Sequence, residues 1–99
     1  MLNVRRLIWS DSTVAHIARH EVTTDEAVEV CFGDPIVLEG HSGRLLIIGP
    51  TQKHRMITVV VDPEEEEGLY SMVTARPAAR KERRIYESEK GGEANDETD

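Results

Sequence analysis

Six basic side chains of the kind that hold a phosphodiester fall close together near the end of this sequence. They are Arg76, Arg80, Lys81, Arg83, Arg84 and Lys90. They make up half of the twelve Lys and Arg residues in a 99-residue chain whose net charge is −7. Arginine can bind two phosphate oxygens with one planar fork and stays charged at physiological pH. The cluster therefore predicts a phosphate-binding surface, with a solvated helix face as the plainer interpretation.

Two elements must position this basic stretch, a strand that ends at Arg76 and a helix that follows it. Pro77 is acceptable at the first position of a helix, and it biases the preceding Arg76 toward an extended conformation. At 100° per residue, the apolar side chains of the predicted helix share one face and the basic ones occupy the rest. The apolar residues are Ala78, Ala79, Ile85 and Tyr86.

Glu82 is the exception to this division, because it falls within the apolar stripe between Ala78 and Tyr86. Burying an unpaired carboxylate is costly, so we expect Glu82 either to pair with a cation or to have a shifted pKa. A purely structural pair with Arg76, Arg83 or an arginine of the sheet is one interpretation. The other is that Glu82 orients a catalytic arginine or transfers a proton itself.

The rest of the chain predicts an α+β domain with two N-terminal helices, an antiparallel β-meander and the C-terminal helix. Residues 7–9 predict a short strand that can pair with the meander, and residues 11–20 predict a helix. Thr23 and Glu26 have the spacing of a capping box at the start of a second helix. Four Val-, Ile- and Leu-rich stretches separated by turn residues predict the meander. They read PIVLE, RLLIIG, RMITVVV and LYSMVTAR. With helices on one side of the sheet, we expect the other side to stay open.

Composition predicts one domain over residues 1–90 and a disordered acidic tail over residues 91–99, where apolar side chains are nearly absent. No apolar run approaches the roughly 18 residues of a membrane helix, and the N-terminal apolar segment is too short for a secretory signal. Cys31 is the only cysteine, so we expect no internal disulfide and a cytoplasmic location.

Acidic residues concentrate over residues 62–67 and in the tail. This distribution argues against nucleic-acid binding by the whole surface and leaves the basic stretch as the region of strong positive potential. His16 and His20 are four residues apart and could share a metal ion. Because no thiolate cluster accompanies them, we expect neither a metal nor another cofactor.

In their order along about eighty residues, the motifs of this chain resemble those of the BrnT-type toxins. These are RelE-like ribonucleases of bacterial type II toxin–antitoxin systems. In the N-terminal part the matching positions are Trp9, His20, Val22, Glu26, Phe32 and Pro35. In the C-terminal part they are Ala75, Arg76, Glu82, Arg83, Arg84 and Tyr86. Between the two lies a strand whose leading arginine is Arg55.

The resemblance implies a RelE-like fold and a metal-independent endoribonuclease. In that reaction the ribose 2′-OH attacks the adjacent phosphorus and leaves a 2′,3′-cyclic phosphate and a 5′-OH. The residues expected to carry it are Arg55, Arg76 and Arg83 for the charge of the phosphorane, His20, Glu82 and Tyr86 for proton transfer or for orienting the arginines, and Arg80, Lys81 and Arg84 for RNA phosphates.

The resemblance also implies a partner, a ribbon–helix–helix antitoxin that covers the basic site in a complex with two copies of each chain. The alternative is a catalytically inactive relative that binds an antitoxin or RNA as a regulatory module. Growth arrest on expression, lost in Arg76→Ala, is expected only of the ribonuclease. From the sequence, both classes remain open.

Overall fold

The structure, a computed structural model, describes residues 3–91 of the 99-residue chain. Within these residues there are five strands, three α-helices and one 3₁₀ turn. Their bounds in chain order are β1 Arg6–Ile8, α1 Asp11–Ala18, α2 Thr24–Cys31, β2 Ile36–Glu39, the 3₁₀ turn His41–Gly43, β3 Leu45–Pro50, β4 Met56–Pro63, β5 Leu69–Pro77 and α3 Arg80–Lys90. The predicted α+β architecture is confirmed. Of the predicted tail over 91–99, residues 92–99 lie outside the described part.

The five strands form one sheet in the order β1-β5-β4-β3-β2. Strands β2 to β5 pair with antiparallel neighbours, so the predicted meander is confirmed. The first strand also joins the sheet, but it runs parallel to β5. The backbone N–H groups of Arg5 and Arg6 donate to the carbonyl oxygen of Gly68, at 2.8 and 3.0 Å, where these two strands begin. In the described part of the chain no helix is both long and apolar enough to cross a membrane.

Helices α1 and α2 cover one face of the sheet, where most of the core lies. Local sequence sets where they begin, since Ser10 accepts from the backbone N–H of Thr13 at 3.2 Å. The predicted capping box of α2 is present, with Thr23 and Glu26 each accepting a backbone N–H of the other. Alternate residues of β4 enter this core together with side chains of both helices. They include Ile57, Val59, Val61, Ile17, Ala27 and Val30.

Helix α3 lies on the opposite face, so the expectation that this face stays open is wrong. The alternation that sends one row of side chains toward α1 and α2 sends a second apolar row the other way. The apolar side of α3 covers that row over β2, β3 and the start of β4. The residues in contact are Ala78, Ile85, Tyr86, Ile36, Leu38, Leu46, Ile48 and Met56.

The start of α3 also differs from the predicted one. Strand β5 continues through Pro77, which pairs with Ile57 of β4, so the helix begins at Arg80. Ala79 was expected in the buried stripe but is the exposed N-cap residue. The difference arises because strand pairing extends past the end that Pro77 alone would predict.

Candidate active site

Arg76 and Glu82 form a two-pronged ion pair where β5 ends and α3 begins. Nη1 of Arg76 donates to Oε1 of Glu82 and Nη2 donates to Oε2, both at 2.8 Å. The Glu82 side chain is 12% exposed and that of Arg76 is 34% exposed. The carboxylate is thus largely enclosed, as its place in the apolar stripe required, while part of the arginine faces solvent.

Two further donors hold the Glu82 carboxylate. The backbone N–H of Ala79 and the hydroxyl of Thr58 each donate to Oε1 at 2.8 Å. Ala79 has no side-chain acceptor of its own, so the glutamate in the first turn satisfies the helix start. Thr58 is fully buried on β4, directly opposite Arg76 in the strand register. Strand, helix start and arginine therefore meet at one carboxylate.

These contacts lower the pKa of Glu82 from 4.5 to about 2, and the hydrogen bond from Arg76 is the largest cause. Partial burial acts in the opposite direction, while the bonds from Ala79 and Thr58 add to the lowering. The same hydrogen bond raises the pKa of Arg76. A carboxylate with so low a pKa stays ionised at neutral pH and is a weak base. Its chemistry suits holding Arg76 better than transferring a proton.

Arg83 and Tyr86 brace α3 against its surroundings. Nη1 of Arg83 donates to the carbonyl oxygen of Ala78 at 2.9 Å. The hydroxyl of Tyr86 donates to the carbonyl oxygen of Asp34 at 2.9 Å, and Lys90 forms an ion pair with the Asp34 carboxylate at 2.7 Å. Burial, with the charge of Asp34, raises the pKa of Tyr86. In this arrangement the phenol fastens the helix to the loop before β2.

Three further cations lie on the exposed side of α3, namely Arg80, Lys81 and Arg84. Among residues 3–91, none of these three side chains has an ion-pair or hydrogen-bond partner. With Arg76, they form what we call the α3 basic surface. Because three of its four cations are exposed and have no ion-pair partner among residues 3–91, this surface is suited to binding an anion.

Arg55 lies in a second ion pair. Its Nη1 donates to both carboxylate oxygens of Glu26 at 3.1 Å and to the carbonyl oxygen of Glu21 at 2.6 Å. Glu26 occupies the first turn of α2, as Glu82 does in α3, and it likewise accepts the N-cap backbone N–H. Each of these two helices thus begins with a glutamate that holds an arginine, which lies just before β4 in one case and near the end of β5 in the other.

The structure places Arg55 and Arg76 at the same end of the sheet but on opposite faces. The backbone N–H of Ala78 donates to the carbonyl oxygen of Met56 at 3.0 Å, which brings the start of β4 beside the end of β5. Arg55 is two residues before Ile57, whose side chain lies in the α1–α2 core, and so it faces α2. The two arginines were predicted to act in one site, but their side chains pair on opposite sides of the sheet, Arg76 with Glu82 of α3 and Arg55 with Glu26 of α2.

His20 belongs with Arg55 rather than with Arg76. It is exposed in the turn after α1, and its ring lies edge-on to that of His16, with 5.3 Å between centroids. The next residue, Glu21, has a left-handed φ of 61° and supplies the carbonyl that Arg55 binds. Within residues 3–91 no three His, Cys, Asp or Glu side chains form a group that could hold a metal ion.

Sequence reasoning did not identify Thr58 as part of the site. The available signal was a single hydroxyl residue inside the apolar run MITVVV, where the strand alternation points it to the α3 side. Its partner is 24 residues away, and no local rule connects them.

The described residues form a small α+β fold in which a five-stranded sheet carries two helices on one face and a basic C-terminal helix on the other. This fold is similar to that of a solved structure, the Brucella abortus ribonuclease toxin BrnT. The TM-score is 0.61 and the identity 23%, over 81% of this chain and 100% of that chain. The predicted resemblance is confirmed at the level of the fold. No protein-family model matches this chain, and no curated protein matches it.

Proposed function

We propose that the protein is a toxin that acts as an endoribonuclease at the α3 basic surface. The observation that carries this proposal is the Arg76–Glu82 pair, which fixes one partly exposed arginine at the start of a helix that carries three exposed cations. The shared fold with a ribonuclease toxin supports the same class. A purely structural ion pair would not require the exposed cations around it.

Arg76 supplies charge stabilisation in the proposed reaction. As the 2′-OH attacks, negative charge grows on the oxygens around phosphorus, and a preorganised cation stabilises that charge. A guanidinium has five N–H groups. In Arg76, Glu82 accepts two of them and the carbonyl oxygen of Pro77 accepts a third at 3.4 Å, which leaves two donors for phosphate oxygens. Glu82 already holds the Arg76 guanidinium in one orientation. Little conformational entropy of this side chain is therefore lost when the transition state forms.

The contribution of this surface is charge stabilisation and positioning rather than proton transfer. Glu82 is a weak base, and the hydroxyl of Tyr86 is directed at Asp34. The proposed reaction is independent of metal ions, because the 2′-OH is an internal nucleophile and the arginines provide the positive charge. Arg80, Lys81 and Arg84 bind phosphates of the flanking RNA, and they make binding dependent on salt.

The proposal includes a protein partner. The α3 basic surface is small, so an inhibitor needs only to cover it with an acidic or helical segment. We propose a ribbon–helix–helix antitoxin in a complex with two copies of each chain, with a buried interface on the order of 1,600 Å² or more.

Incubation of the purified protein with RNA in EDTA tests the activity. We expect cleavage with 2′,3′-cyclic phosphate ends, and a loss of roughly 10²–10³-fold in Arg76→Ala. The matched control is Arg19→Ala, which removes an exposed arginine from the end of α1 and should leave the rate nearly unchanged. Wild-type cleavage by a folded Arg76→Ala variant would refute the assignment. RNA binding without cleavage by the wild type would favour the regulatory module.

Arg55→Ala, measured in the same assay, defines how far the site extends. Arg55 was predicted to act with Arg76, and it lies at the same end of the sheet. A loss comparable to that of Arg76→Ala would show that the RNA crosses the end of the sheet and contacts both faces. A wild-type rate would confine the site to the α3 face.

A further inference from the structure

Thr58 carries a fully buried hydroxyl within the otherwise apolar run of residues 56–61 in β4. Its neighbours Ile57 and Val59 are also fully buried. Valine has nearly the same shape as threonine, so packing alone does not call for a hydroxyl here. A buried hydroxyl without a partner is destabilising, and that of Thr58 has one partner, Oε1 of Glu82 at 2.8 Å.

The atom that Thr58 binds is also one that binds Arg76. Oε1 of Glu82 accepts Nη1 of Arg76, the backbone N–H of Ala79 and the Thr58 hydroxyl. Two of these donors belong to the β5–α3 junction. Thr58 lies on β4 and is paired there on both sides, with Ile48 of β3 and Arg76 of β5. It therefore ties the carboxylate to the interior of the sheet.

We propose that Thr58 is a positioning residue of the RNA-cleavage site, which acts through Glu82 to aim the Arg76 guanidinium at the scissile phosphate. This inference rests on the proposed function and deepens it. Thr58 itself touches no substrate. Its effect is to remove the freedom of the Glu82 carboxylate to turn when Arg76 takes on a phosphate.

The test compares Thr58→Val, which keeps the shape, with Thr58→Ser, which keeps the hydroxyl. The matched control is Thr74→Val. Thr74 lies on β5 two residues before Arg76, and its hydroxyl is buried without a hydrogen-bond partner among the described residues. The full-length variants are compared by circular dichroism, by kcat and KM on one RNA, and by NMR titration of the Glu82 carboxyl.

We expect Thr58→Val to lower kcat by about tenfold with KM changed by less than about twofold, because orientation at the reacting centre is lost and phosphate binding is not. The pKa of Glu82 should rise by about one unit, as for one lost hydrogen bond to a charged group. Thr58→Ser should restore both values, and Thr74→Val should change neither.

Two results overturn the inference. One is an unchanged Glu82 titration in Thr58→Val, which shows that the hydroxyl does not hold the carboxylate. The other is a raised Glu82 pKa with wild-type kcat, which shows that the contact is structural only. If the wild-type chain cleaves no RNA, the proposed function is wrong, and so is the positioning role of Thr58 in RNA cleavage. The Glu82 titration still separates that failure from the first one, since it needs no activity.

Discussion

Replacing Glu82 with glutamine should destabilise the fold in a way that depends on pH. Glutamine keeps the length of the side chain, and its oxygen can still accept from Thr58 or Ala79. It removes the negative charge and places an N–H₂ group against the Arg76 fork. The variant therefore isolates the electrostatic part of the contact from packing.

The expected magnitude follows from the pKa of Glu82, which falls from 4.5 to about 2 on folding. Each pKa unit is worth about 1.4 kcal/mol, so a fully enclosed pair would contribute about 3 kcal/mol. The Arg76 side chain is 34% exposed, and water screens the pair. We therefore expect Glu82→Gln to lower the free energy of unfolding by about 2 kcal/mol at pH 7.

The sign of the pH dependence is fixed by the lowered pKa. A carboxyl group whose pKa is lower in the folded state stabilises the protein at any pH above its pKa in the unfolded state. That stabilisation is lost as the pH falls through the pKa of the folded state and the group becomes protonated. The difference in free energy of unfolding between wild type and Glu82→Gln should have its full size above pH 5 and should shrink as the pH falls from 4.5 to about 2. Urea denaturation followed by circular dichroism at pH 7, 4 and 2.5 measures it.

The matched control is Glu87→Gln, an exposed glutamate on the same helix. Its effect should stay below about 0.5 kcal/mol at every pH. A difference between wild type and Glu82→Gln that is constant from pH 7 to 2.5 would refute the electrostatic reasoning. It would show that the amide N–H₂ group facing the Arg76 guanidinium, rather than the lost charge, causes the destabilisation.

Two further predictions concern α3. Ala79→Ser should stabilise the protein by about 1 kcal/mol, because serine supplies the side-chain acceptor that this N-cap lacks. Thermal unfolding checks this, and an unchanged or lower Tm would contradict it. Replacing Arg80, Lys81 and Arg84 with glutamine should weaken RNA binding. The slope of the logarithm of affinity against the logarithm of salt concentration should become shallower by about 0.7 for each lost phosphate contact. The assay is affinity at several salt concentrations in the Arg76→Ala background, and an unchanged slope would remove these residues from the RNA surface.

The parts of the fold that depend on neighbouring residues could be predicted from the sequence. The capping box of α2 is an example, because Thr23 and Glu26 satisfy each other within one turn. The start of α3 could not be predicted in the same way. Its position depends on the pairing of Pro77 with Ile57, a contact across twenty residues of chain.

The candidate site could be predicted only where it depends on residues that are close together along the chain. Glu82 was expected to find a cation because its helical angle puts it among apolar residues, and it pairs with Arg76 six positions away. The contacts of Arg55 and Thr58 depend on which helix covers each side of the sheet at β4. Strand alternation separates the two rows, but the sequence does not say that α2 covers one row and α3 the other.

The parallel pairing of β1 with β5 has a consequence for synthesis on the ribosome. Arg6 emerges early, yet its partner in the sheet is Leu69, more than sixty residues later. At about 5–20 residues per second, β1 waits several seconds before that strand exists. The Arg76–Glu82 pair can form only later still, after Thr58 of β4 has been synthesised. A chain whose translation stops before α3 would therefore carry most of the apolar core but none of the exposed cations of that helix. Abortive products of this protein should be prone to aggregation and should lack Arg80, Lys81 and Arg84 of the α3 basic surface.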